Sequence, residues 1–183
     1  MTNSDDAVGR GPCAFSPTLV RGRQIADFFA SMFEPGAQVL ELGFGQGLFL
    51  EAATARGVRV VGLDRDEDLV ASALVRGFEA HTGDVRHLEG LSDYQFEGVL
   101  AAHLIEHLHP DEVSQLLHEV AQLTRTGGHF VIVTPNIRDW QTMSEWFWQD
   151  PTHVRPYPGK AVLQLADPAE WTWDVDGDEP PHH

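Results

Sequence analysis

Apolar positions along this chain change period several times. Ser16-Pro17 reads as an N-cap followed by proline at the first helical position. Ile25, Phe28, Phe29, Met32 and Phe33 then recur at helical spacing until Pro35-Gly36. A buried strand is expected over Ala37–Leu42, a helix over Leu48–Arg56 closed by Gly57, and a strand over Val58–Leu63. Glu67–Arg76 predicts a helix with acids in its first turn, arginine in its last and Gly77 as its stop. Phe78–His81 predicts a short third strand and Phe96–Ala102 a fourth. Asp111–Arg125 carries Val113, Leu116, Leu117, Val120 and Leu123 on one helical face, with Gly127-Gly128 after it. His129–Thr134 predicts a fifth strand, stopped by Pro135-Asn136. Lys160–Ala166 predicts a short helix, and Trp171, Trp173 and Val175 alternate with polar residues like a strand with one buried face.

Strands alternating with helices mean βαβ units. The expected fold is α/β: three layers, with a doubly wound, mostly parallel sheet and helices on both faces. Ligands in such sheets bind outside the carboxyl ends of the strands. Attention therefore falls on the positions after residues 42, 63, 82, 102 and 134. With 183 residues one domain is expected, over 16–166. Residues 1–15 read as a loose leader, and 167–183 as an acidic tail with at most one short strand.

Composition narrows the function classes. Hydrophobic residues make up 42% of the chain, enough for a core. Asp and Glu number 28 against 12 Lys and Arg, a formal charge of −16. That charge argues against nucleic acid as a partner, because phosphate tracking needs basic stripes. It also argues against docking on an anionic membrane. Cys13 alone cannot form an internal disulfide, so a reducing compartment is permitted. No apolar run approaches the ~18–20 residues of a membrane span, and Met1–Gly11 lacks the apolar core of a secretory signal. A cytoplasmic protein without membrane insertion is expected.

Between the first strand and the next helix lies Glu41-Leu42-Gly43-Phe44-Gly45-Gln46-Gly47. Glycines here permit a tight turn and close approach of backbone to a ligand, although ordinary tight turns use them too. The spacing is G-x-G-x-G, with Leu48 where a dinucleotide fingerprint has its third glycine. No Lys-Ser/Thr of a phosphate-binding loop follows. Glu41 would repel a pyrophosphate and suits a ligand presenting ammonium or hydroxyl groups.

This stretch resembles motif I, E/D-x-G-x-G-x-G, of the class I S-adenosylmethionine-dependent methyltransferases. Val60-Val61-Gly62-Leu63-Asp64 looks like their second strand with its terminal acid, and Gly83-Asp84-Val85 like their third motif. Phe96–Leu108 (FEGVLAAHLIEHL) and Leu123–Asn136 (LTRTGGHFVIVTPN) resemble the fourth strand and the helix-turn-strand after it in the small-molecule group. The likeness runs from Ala37 to Asn136. It implies the Rossmann-like methyltransferase fold, with S-adenosylmethionine as cofactor, S-adenosylhomocysteine as product and a small-molecule acceptor. Carried over residue by residue, it implies a cofactor site of Glu41, Gly43, Phe44, Gly45, Gly47, Asp64, Arg65, Asp84, Val85 and His103. Asp64 would accept from the ribose hydroxyls, Asp84 and the Val85 N–H would meet the adenine, and Glu41 would meet the methionine ammonium.

His103-Leu-Ile-Glu106-His107 also fits H-x-x-E-H, a zinc-hydrolase pattern. That chemistry needs both histidines on one helix face and a third ligand. Here the apolar run Phe96–Ala102 places His103 at a strand end and marks no third ligand, so no metal is expected. Within the resemblance, His103 and His107 are the candidates for a general base, with shaping of the pocket as the alternative. Glu106 is expected to tie down a neighbouring loop. Residues 146–157, WFWQDPTHVRPY, resemble a D-P-T-H-V-R-P-Y element near the acceptor pocket of some bacterial methyltransferases that act on envelope sugars or lipids. His153, Arg155 and Tyr157 are therefore candidate acceptor residues. Trp146, Phe147 and Trp148 are expected to cap the sheet as core.

The family sheet usually has seven strands, and residues 135–183 offer only one further candidate. Five or six strands are expected, with reduced C-terminal strands. A homodimer is one way to cover the edge so exposed. The activity implied is methyl transfer to a sugar or lipid precursor; the alternative is a non-catalytic, S-adenosylmethionine-binding subunit.

Overall fold

The structure is a computed structural model and describes residues 17–136, 138 and 140–172. The leader, Ser16 as an N-cap, and Trp173 and Val175 lie outside the described residues.

Five parallel strands form the sheet. They are β1 (Gln38–Leu42), β2 (Arg59–Asp64), β3 (Glu79–Thr82), β4 (Phe96–Ala102) and β5 (Thr124–Val133). Their order is β3-β2-β1-β4-β5. The chain steps outward from β1 to β3, then crosses back to lay β4 on the other side of β1. This reversal places the switch point between β1 and β4, where open α/β sheets bind ligands. The register is regular: Leu42 lies beside Leu63 of β2 and Ala101 of β4.

Alternation along the strands separates two cores. Leu40, Leu42, Val61, Leu63, Val99 and Ala101 pack with α4 (Pro110–Leu123) and α5 (Gly159–Leu165). Val39, Val60, Leu100 and Val133 pack with α1 (Pro17–Ala30), α2 (Leu48–Ala55) and α3 (Glu67–Val75). The result is three layers with helices on both faces. No helix among the described residues is long and apolar enough to cross a membrane.

Most elements fall where the pattern puts them. One junction differs. Helix α4 ends at Leu123, where the Thr124 hydroxyl donates to the Val120 carbonyl at 2.7 Å, and Thr124 is already extended. Gly127-Gly128, read as a helix stop, lies inside β5. Phe96 pairs with Thr124 and Gly98 with His129, so residues 125–128 bulge out of register. Gly127 has φ +83°, and a Cβ on Gly128 would meet the Glu97 carbonyl at 2.9 Å.

Beyond β5 no strand follows among the described residues. Trp171 is in irregular chain, its indole donating to the Leu117 carbonyl at 3.1 Å. Short helical turns at Thr142–Trp146 and Phe147–Gln149 carry the aromatic segment. The expectation that its three aromatics form core is corrected in part. Phe147 is buried, but Trp146 and Trp148 are 53% and 59% exposed. Successive residues of a helical turn point about 100° apart, so one anchored ring turns its neighbours outward.

Candidate functional site

The loop after β1 shows why three glycines alternate. Gly43, Gly45 and Gly47 all have positive φ, at 69°, 54° and 71°, a region side chains rarely adopt. The Gly43 N–H donates to the Leu63 carbonyl at 2.8 Å, and the Gly47 N–H to the Phe44 carbonyl at 2.9 Å. Phe44 folds down onto the sheet: a Cβ on Gly62 would lie 2.7 Å from its ring. The buried Phe44 side chain thus seats the loop and leaves the backbone to face a ligand. Arg76, just past α3, donates to the Gln46 carbonyl at 2.9 Å and pairs with Glu51 at 2.6 Å. Sequence reading credited Arg76 only with closing its own helix.

Two acids stand beneath this loop, at the ends of adjacent strands. Asp64 Oδ2 accepts from the Gly45 N–H at 2.9 Å, and Oδ1 from the Asp66 N–H at 3.0 Å. Glu41 is buried, and its Oε2 has no hydrogen-bond partner. Burial, with the Asp64 charge adding to it, pushes the Glu41 carboxyl well above the usual carboxylate range. Arg65, the next residue after Asp64, is exposed.

At the end of β3, Asp84 is already engaged. Its Oδ1 accepts from the Arg86 N–H at 3.0 Å, and its Oδ2 pairs with the Arg86 guanidinium at 2.9 Å. Arg86 also binds Glu112 of α4 at 2.6 Å. Partial burial works to raise the Asp84 pKa, but the Arg86 hydrogen bonds outweigh it and hold the group below its ordinary value. The Val85 side chain is buried on the α4 side of the sheet.

Across the switch point, β4 runs into a strained turn. His103 has φ +53°, the one non-glycine with positive φ among the described residues. Its N–H donates to the Val133 carbonyl at 2.9 Å. Next comes Leu104, whose Cδ1 would lie 3.2 Å from a Cβ on Gly43. The strand-four turn and the glycine loop are therefore neighbours. Ile105–His107 is a single 3-10 turn, so His103 and His107 do not share an α-helical face.

The D-P-T-H segment comes back onto that turn. The Val154 and Arg155 N–H groups both donate to the Glu106 carbonyl, at 2.8 and 3.4 Å. The His107 and His153 rings lie 4.7 Å apart. Glu106 is fully buried and neither carboxylate oxygen has a hydrogen-bond partner; His103 Nδ1 stands 3.4 Å from Oε1. Glu106, His107 and His153 each bring a ligand atom within 4.8 Å of the other two. This convergence is what sequence reading missed, and the H-x-x-E-H spacing was half of its signal. Arg155 is exposed and stacks over Tyr157 at 5.1 Å. Tyr157 is fully buried, its hydroxyl donating to the Leu108 carbonyl at 2.8 Å.

The structure therefore gathers the glycine loop, Glu41, Asp64, His103 and the Glu106–His107–His153 group around the ends of β1, β2 and β4. It commits Asp84 to Arg86 and seats Tyr157 in the core. Residues 19–173 match a family described as a methyltransferase domain. A ubiquinone biosynthesis O-methyltransferase of Rhodopseudomonas palustris (strain TIE-1) is 31% identical over 113 residues, covering 60% of this chain and 44% of that one. Its namesake from Xanthomonas campestris pv. campestris (strain B100) is 32% identical over 108 residues, covering 56% and 44%. The chain thus spans less than half the length of these curated relatives. A crystal structure of a SAM-dependent methyltransferase from Archaeoglobus fulgidus superposes with a TM-score of 0.66 at 24% identity, covering 82% of this chain and 66% of that one, and shares the fold.

Proposed function

Since this chain belongs to the methyltransferase domain family, we propose that it transfers the sulfonium methyl of S-adenosylmethionine to a hydroxyl of a small-molecule acceptor, a sugar or lipid precursor. The observation that carries this reading is the pair of acids, Glu41 and Asp64, beneath a left-handed glycine loop at the switch point. Glu41, with a buried oxygen lacking a partner, accepts the methionine ammonium. Each Asp64 oxygen keeps a second lone pair after its backbone bond, and these take the ribose hydroxyls. Gly43, Gly45 and Gly47 let the backbone approach the cofactor, and Arg65 borders it. Asp84 offers its remaining lone pairs to the adenine amino group, beside the Val85 N–H.

Methyl transfer is an in-line displacement at the sulfonium carbon, and holding the two reactants in line supplies about 7–11 kcal/mol of the barrier. His103 or His107 takes the hydroxyl proton, a contribution of roughly 10²–10⁴ in rate. The relatives named as O-methyltransferases support oxygen as the acceptor atom. Trp146 and Trp148, exposed on the segment that leads to His153 and Arg155, suit an acceptor with a ring or apolar face.

Calorimetric titration with S-adenosylmethionine and S-adenosylhomocysteine tests the reading. One-to-one heats and a raised melting temperature with both are expected. A chain that binds neither ligand sinks it. Release of S-adenosylhomocysteine across a panel of hydroxylated acceptors then separates an enzyme from a binding subunit.

A further inference from the structure

Glu106 is the least explained group among the described residues, with His103 Nδ1 standing 3.4 Å from its Oε1. A fully buried carboxylate with no hydrogen bond to either oxygen is costly. Its surroundings supply the answer. The Nδ1 of His153 sits 2.6 Å from the Phe147 carbonyl, which only accepts, so this nitrogen carries the proton and donates. The Nδ1 of His107 sits 2.8 Å from the Thr152 hydroxyl, whose own proton goes to Asp150. This nitrogen donates as well. Both rings are thereby held in the tautomer that leaves Nε2 with a lone pair, that of His153 standing 3.9 Å from Asp150 Oδ2. Proteins orient metal-binding histidines in this way, through a carbonyl or a carboxylate behind the ring.

We propose that Glu106, His107 and His153 form a site for a divalent transition-metal ion of the zinc class. One carboxylate and two imidazoles suit Zn²⁺ and its neighbours better than Mg²⁺ or Ca²⁺, which favour oxygen ligands. Tetrahedral zinc with ligands at ~2.0–2.2 Å needs them about 3.4 Å apart. Each residue brings a candidate ligand atom within 4.8 Å of the other two, and side-chain rotation closes the remaining gap. The third ligand that the H-x-x-E-H spacing lacked comes from the D-P-T-H segment, which is pinned to the turn by the bonds to the Glu106 carbonyl. Three protein ligands leave a coordination position open. Resting on the methyl-transfer reading above, that position takes the acceptor oxygen. With His107 held as a ligand, His103 is the base that takes the hydroxyl proton acidified by the ion, and the oxygen then gains the methyl as the S–CH₃ bond breaks and S-adenosylhomocysteine leaves.

The test uses the full chain, stripped with chelator and titrated with Co²⁺ and Zn²⁺. One-to-one binding is expected, with Co²⁺ giving visible tetrahedral absorption that Zn²⁺ bleaches. His153→Gln should weaken binding by at least about 100-fold. Thr152→Val, a change at an exposed residue outside the ligand set, should weaken it by roughly 10–100-fold through His107. A variant with His182 and His183 both changed to Ala should bind like the parent. The proposal is overturned if the parent shows no stoichiometric ion, if His153→Gln binds as well as the parent, or if the tail variant loses the ion. S-adenosylhomocysteine titrated in parallel keeps the readings apart: cofactor binding without metal sinks this one alone, and metal without cofactor sinks the other.

Discussion

Asp64 accepts a hydrogen bond from the backbone N–H of Gly45, nineteen residues before it, at 2.9 Å. The acid that ends β2 thus holds the loop that follows β1, and one carboxylate serves both the loop and the proposed ribose site. Asp64→Ala removes both functions. With hydrogen bonds to a charged group worth about 1.5–3 kcal/mol, S-adenosylhomocysteine affinity should fall by roughly 10–150-fold. Asp64→Asn keeps one accepting oxygen and should lose less. Equal affinities for the parent and Asp64→Ala in calorimetry would show that Asp64 only shapes the loop.

Gly62 is the floor on which Phe44 rests. A Cβ there lies 2.7 Å from the ring, so Gly62→Ala must lift Phe44 and the loop above it. Overpacking of this kind costs about 1–3 kcal/mol. The variant should unfold at lower urea and bind S-adenosylhomocysteine more weakly. Phe44→Leu in the Gly62→Ala background should recover part of both, because a smaller side chain relieves the contact. No recovery would mean that the strain is relieved elsewhere.

Glu41 gives a stability signature with a definite sign. Its folded-state pKa is raised above the unfolded value near 4.5 by burial and by Asp64. A raised carboxyl contributes stability that is fully present below the unfolded pKa and is lost as pH rises through the folded one. Glu41→Gln escapes this loss. The parent and the variant should be similarly stable near pH 4, and the variant should be ahead at pH 8 by about 1 kcal/mol or more, roughly 2–4 °C in Tm. The same variant should bind S-adenosylmethionine less tightly, having lost the negative partner of the ammonium. Parallel stability curves from pH 4 to 8 would contradict the burial argument.

The strands and glycines were legible because their causes are local. Mostly apolar runs such as Val39–Leu42, broken only by Glu41, and Val99–Ala102 mark doubly covered strands, and G-x-G-x-G marks three left-handed residues. Gly127-Gly128 misled because helix stops and strand bulges use glycine for the same conformational reason. Only the pairing of Phe96 with Thr124 and of Gly98 with His129 separates the two. Asp84 looked available because its partner Arg86 is two residues on, and Arg86 is fixed in place by Glu112, 26 residues further along. The approach of His153 to Glu106 is likewise a product of tertiary packing. Spacing within H-x-x-E-H carries no trace of a ligand 46 residues downstream.

Tyr157 separates a structural role from an acceptor role. The resemblance offers it as an acceptor residue, yet its ring is fully buried and its hydroxyl donates to the Leu108 carbonyl at 2.8 Å. Leu108 directly follows the 3-10 turn that carries Glu106 and His107, so the bond ties the end of the D-P-T-H segment to that turn. Tyr157→Phe keeps the ring and leaves a buried carbonyl short of its donor. The expected cost is about 1–2 kcal/mol of stability, seen as a lower urea midpoint with an unchanged slope. Cofactor affinity should not change, since the hydroxyl is committed to the Leu108 carbonyl inside the core. Parent-like stability together with a selectively raised KM for the acceptor would instead place the Tyr157 hydroxyl in the acceptor site.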